Sequence, residues 1–98
     1  MLFRSWPARS AREVAPLIAA LRERVEELRV AEVDRHAARL GDDAATRAAV
    51  DASTRGLINK LLHEPTVRLK DAVGTARGEL YADALAELFA LELPDADD

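Results

Sequence analysis

With 98 residues, no cysteine and a net charge of −4, the chain is one domain of ordinary size. It has no disulfide framework, no thiolate zinc site and no cysteine nucleophile. No apolar run approaches the ~20 residues of a membrane span, and Arg4, directly after Met1–Phe3, interrupts any signal-peptide core.

The first residues, Met1 to Ala8, place Leu2, Phe3 and Trp6 at helical spacing. Exposed aromatics at a chain start are unusual, so this stretch reads as the tail of a longer helix belonging to a larger protein. Arg4, Arg9 and Arg12 form a small basic patch without acids. The first thirty residues carry six arginines against four glutamates, and the rest of the chain is acidic overall. That pattern lacks the broad basic footprint of a nucleic-acid binder.

Helical periodicity dominates from there, and strand alternation is missing. The expected fold class is all-α: a small bundle of about four helices with one long N-terminal helix. The first is expected from Ser10 to Leu40. Ser10 and Glu13 have capping-box spacing, and Leu17, Leu21, Val25 and Leu28 form its inward stripe. Pro16 must kink this helix or mark its start near Val14. Gly41 suits the helix end, and Asp42 and Asp43 can cap the next helix.

That second helix is expected to reach about Leu62, with Val50, Thr54, Leu57, Ile58, Leu61 and Leu62 inward. Gly56 within it either admits a close neighbour or is simply tolerated. Pro65 disfavours the α conformation at Glu64, so a break is expected there, followed by a short third helix from Thr66 to Ala76. Gly74 and Gly78 then bracket a turn. The last helix, Glu79 to Leu91, directs Leu80, Ala84, Leu85, Leu88, Phe89 and Leu91 inward. The apolar-poor, acidic residues 94–98 read as a disordered tail.

Motifs for chemistry are missing. Gly41, Gly56, Gly74 and Gly78 are too dispersed to cradle a nucleotide. Glu32 and His36, four apart on one face, could hold a metal only with further ligands, so an intrahelical hydrogen bond is the plainer role for His36. His63, placed by the expected break in the last turn of a helix, reads as a cap for carbonyls freed by Pro65, with Asn59, Lys60 and Glu64 nearby. No catalytic, cofactor-binding or metal residue is assigned. Lys60 and Lys70 are the only lysines among fourteen basic residues.

A short chain buries a thin core, and pairing is a common remedy. Leu57, Leu61, Leu85, Leu88 and Phe89 are the candidates for core or dimer interface.

The segment Asn59-Lys60-Leu61-Leu62-His63-Glu64-Pro65-Thr66-Val67-Arg68-Leu69-Lys70 resembles the part of glutamyl-tRNA reductase near its C-terminus. Phe3-x-x-Trp6 resembles the end of that enzyme's long spinal helix. Pro16-x-Ile18-x-x-Leu21-Arg22, with Glu26 and Glu32, resembles the first helix of its dimerisation domain. Tyr81 with Leu85, Leu88, Phe89 and Leu91 resembles its terminal helix. The resemblance implies that residues 1–9 end the spinal helix, that residues 10–93 form a helical dimerisation domain, and that two subunits pair through it. It also implies a cytoplasmic parent enzyme that uses NADPH to reduce glutamyl-tRNA to glutamate-1-semialdehyde, the first step of the five-carbon route to tetrapyrroles. A thioester-forming cysteine and an NADPH domain belong to other parts of such an enzyme, so no cofactor falls on this chain. Glutamyl-tRNA and the next enzyme of the pathway are the parent's implied partners. The other reading of these residues is a free-standing helical dimeric adaptor or regulator.

Overall fold

The first helix, α1 (Ala11–Arg35), is rich in Ala, Leu, Arg and Glu, all strong helix formers. The computed structural model describes residues 11–91, with side chains from Val14 onward. Leu2, Phe3, Trp6, Arg4, Arg9, the Ser10–Glu13 cap, the Arg12 side chain and the acidic tail 94–98 lie outside the described residues. Pro16 sits within α1, where its missing N–H removes one early hydrogen bond.

The first helix is shorter than its periodicity suggests. It ends at Arg35, and a single turn, α2 (Ala37–Leu40), follows. His36 explains the break: its backbone N–H turns to Val33 O (3.1 Å). The Glu32 carbonyl, which that N–H would have served in a regular helix, instead meets the His36 ring at Nδ1 (3.0 Å). Gly41 then takes φ 75°, ψ −163°, a region open essentially to glycine alone.

The third helix, α3 (Ala44–Asp71), starts on Asp43. The Asp43 carboxylate accepts from Ala45 N (3.3 Å) and from the Thr46 hydroxyl (2.6 Å). These bonds, Thr46 first, hold it below the usual carboxylate range. Contrary to the expected break at Pro65, α3 runs through it without interruption, and no separate helix from Thr66 to Ala76 exists. Leu62 and Leu69 are two turns apart, flank the proline and are both buried. A proline within a helix costs about 3 kcal/mol, whereas burying each leucine contributes about 1.5–3 kcal/mol. A break would misdirect one of the two, so packing outweighs the local preference.

A turn at residues 72–75, with Gly74 at φ 86°, leads to α4 (Ala76–Leu88). This helix begins three residues before the expected Glu79. Thr75 caps it by accepting from Gly78 N (3.0 Å) while donating to Ala72 O (2.6 Å). Gly78 is therefore inside the helix, buried, and a side chain there would collide with the Ala72 carbonyl. Helix α4 also ends earlier than Leu91. Ala90 takes φ 53°, with Ala90 N bonded to Glu87 O (3.2 Å) and Leu91 N to Ala86 O (2.9 Å). This is a Schellman closure with alanine where glycine is usual.

Val14 and Leu17 of α1, Leu69 of α3 and Ala82 of α4 make the core, with Ile18, Val73, Leu85, Ala86 and Leu91 packed against it. Leu21 is fully buried beside them. The whole measures 54 × 24 × 23 Å, because only part of its length has three helices. At ~1.5 Å per residue, α3 is about 42 Å long and α4 about 20 Å. Helix α4 covers the upper part of α1 and α3, and below it those two continue as a bare hairpin. No strand occurs among the described residues.

Candidate functional site

The hairpin below α4 is clamped by Arg29. Its side chain is 3% exposed and donates to Glu26 Oε1 (3.0 Å) and Oε2 (2.6 Å), and to Asp51 Oδ1 (2.6 Å) across on α3. Thr54 Oγ1 lies 3.3 Å from the same guanidinium. Bidentate pairing is the strong geometry for Arg and carboxylate. The Arg29 bonds, larger than any other cause, hold Glu26 and Asp51 below the usual carboxylate range. The carboxylates raise the Arg29 guanidinium further above its ordinary value, Glu26 first. The Glu26–Arg29 attraction is visible in the sequence as an i, i+3 pair. Asp51 is not, because its partner is 22 residues away.

The residues of the central motif do not converge. Asn59 accepts from Arg22 Nη1 (3.2 Å). Lys60, His63 and Pro65 are exposed, and Leu62 is buried. Glu64 pairs with Arg68 (3.7 Å), and Thr66 encloses its hydroxyl without a partner. His63 caps nothing, since α3 continues past it for two turns. His36 is bonded within its own helix turn, to Glu32. Among the described residues no group of three His, Asp or Glu side chains could hold a metal, and no helix is long and apolar enough to cross a membrane. Gly41 and Gly74 lie in separate turns while Gly56 and Gly78 lie inside helices, so they do not fit a dinucleotide phosphate cradle. Two hollows among the described residues, one beside Glu23, Glu27 and Leu91 and one beside Arg22, Arg55 and Asn59, are open troughs between helices.

What the surface offers instead is apolar. Leu57 is 59% exposed, Leu61 63% and Leu88 81%. Leu80 and Leu88, expected inward, point outward, because α4 packs through its smallest residues, Gly78 and Ala82. Leu28, expected to continue the stripe of Leu17 and Leu21, is 51% exposed. It lies past Ala90 and Leu91, which sit beside Ala20–Glu27. Leu85 is half-buried against the core, and Phe89 is 37% exposed. A Cβ at Gly56 would meet nothing within 4 Å, so no neighbour among the described residues requires that glycine.

Exposed leucines of this kind suit association with a partner, and the fold is a small all-α bundle. The chain belongs to the glutamyl-tRNA reductase dimerisation-domain family: the profile described as "Glutamyl-tRNAGlu reductase, dimerisation domain" matches residues 3–91. It is similar to the glutamyl-tRNA reductase of Trichlorobacter lovleyi, 50% identical over 88 residues, which is 87% of this chain and 20% of that protein. It is 44% identical over 85 residues to that of Thermobifida fusca, covering 86% of this chain and 18% of the relative. It is 42% identical over 91 residues to that of Chloroflexus aurantiacus, covering 92% and 20%. The chain thus spans a fifth or less of the length of these relatives. No solved structure matches it.

Proposed function

We propose that this chain joins two subunits of a glutamyl-tRNA reductase, and that it does so through the exposed leucines of α3 and α4. Residues 10–93 are the pairing domain and residues 1–9 the end of the helix that connects it to the rest. Reduction of glutamyl-tRNA with NADPH, on the route to tetrapyrroles, belongs to other parts of a parent enzyme in the cytoplasm. Contacts with tRNA or with the next enzyme of the pathway belong there too. The observation that carries the reading is the exposure of Leu57, Leu61 and Leu88 on a domain with so small a core of its own. Family membership supports the pairing role.

The test is sedimentation of the unmodified chain beside Leu57→Glu, Leu61→Glu and Leu88→Glu, with helical content followed by circular dichroism. A charge in an apolar interface is costly without a partner. The unmodified chain is expected to sediment as a dimer, and each variant as a helical monomer. Dimers that survive all three substitutions would show that pairing uses another face.

A further inference from the structure

A side chain makes the helix break at His36. A carbonyl oxygen only accepts, so Nδ1 of the ring, 3.0 Å from Glu32 O, carries a proton there. Glu32 Oε2, 3.5 Å from the same nitrogen, is a second acceptor. The ring thus holds the carbonyl that a regular helix would give to the His36 backbone N–H. That N–H takes Val33 O instead (3.1 Å), and Arg39 N takes His36 O (3.0 Å) where a continuous helix would use Arg35 O.

Nothing else in the local sequence asks for a break. Ala37, Ala38, Arg39 and Leu40 are strong helix formers, and neither glycine nor proline occurs between Pro16 and Gly41. Packing does not ask for one either. Half-buried Val33, Ala37 and Leu40 are spaced by four and three residues, as on one face of an unbroken helix. A continuous helix from Ala11 to Leu40 would keep them on that face. The Arg29 clamp, two turns before His36, fixes the hairpin above this point. Gly41 occupies backbone that glycine reaches without strain, so it can absorb a change of direction. Movement is thereby confined to residues 36–41.

We infer that residues 36–41 are a hinge with two forms, bent and continuous, and that the His36 Nδ1–H bond to the Glu32 carbonyl holds it bent. A neutral ring holds the bend only with its proton on Nδ1. With the proton on Nε2, Nδ1 turns a lone pair to the carbonyl and releases it. Hinges of this kind use a few residues at the ends of elements. The hinge is independent of the pairing proposed above.

Ring-nitrogen NMR shifts at about pH 9, where an ordinary imidazole is neutral, locate the proton directly. His36 is expected as the Nδ1–H form, and exposed His63 as the Nε2–H form usual for a free imidazole. Backbone carbon shifts of residue 36, at φ −103° and ψ 11° in the bent form, then distinguish the two forms in variants of the whole chain. Asn and Asp are equally good at helix starts, but only Asn offers a donor in the place of Nδ1. His36→Asn should keep the bend. His36→Ala and His36→Asp should shift residue 36 to helical values, about φ −63° and ψ −42°. An Nε2–H proton on His36, a bend that survives in the Ala or Asp variant, or an Asn variant that straightens overturns the hinge.

Discussion

The two ends of this molecule are held together by different physics. At the upper end three helices enclose Val14, Leu17, Leu69 and Ala82, with Leu21 beneath them. At the lower end two helices are fastened by one guanidinium and two carboxylates, and the leucines there face outward. The upper end encloses a small core although Leu80 stays exposed, and the lower end keeps its register through the Arg29 clamp while Leu28, Leu57 and Leu61 stay exposed. Buried ion pairs are weak contributors to net stability but are suited to fixing one arrangement. A paired surface has to be in register before the partner arrives.

The substitution with the largest expected effect is at the upper end. Leu21→Ala removes a fully buried side chain and should cost about 2–5 kcal/mol of unfolding free energy, measured by urea denaturation. Leu28→Ala, on the same stripe, should cost much less in a monomeric background. Gly78→Ala comes next: its methyl meets the Ala72 carbonyl, and forcing the α3–α4 turn apart should cost about 1–3 kcal/mol. A neutral result would mean that the turn is looser than its capping bonds suggest. Ala90→Gly should act in the opposite direction and stabilise by about 1 kcal/mol, because glycine adopts the positive φ of that position without strain.

The smallest effect belongs to the lower end and depends on pH. Glu26 and Asp51 titrate below the usual carboxylate range because Arg29 bonds to them. Their contribution is therefore complete above that range and is lost as pH falls through their depressed folded values. Amide exchange measured down to acidic pH should show the α1–α3 hairpin losing protection before the upper core does. Asp51→Asn should remove most of that difference. Uniform loss of protection along both helices would contradict the division into two ends.

The sequence conveys much of this unevenly. The helical class, the Asp43 cap and the stripe from Leu17 to Leu21 are written in local pattern, and the structure follows them. Pro65 misleads because its signal is local, whereas the burial that overrides it comes from Leu62 and Leu69 meeting other helices. Gly78 misleads for a related reason: glycine marks turns and close approaches alike, and only the Ala72 carbonyl distinguishes them. Thr75 was the available signal for the earlier start of α4. Leu28, Leu80 and Leu88 look like core residues in one dimension; the end of α4 leaves Leu28 uncovered, and the packing of α4 through Gly78 and Ala82 turns Leu80 and Leu88 outward. The central motif is distinctive without forming a site: Asn59 and Leu62 serve the fold, while Lys60 and Leu61 face out.

The central claim is that the exposed leucines of the lower end and of α4 are covered by a second copy of this chain. Light scattering on the unmodified chain over a wide concentration range tests it most directly. A stable mass about twice that of the 10.7 kDa chain is expected. A well-folded monomer at every concentration would contradict it.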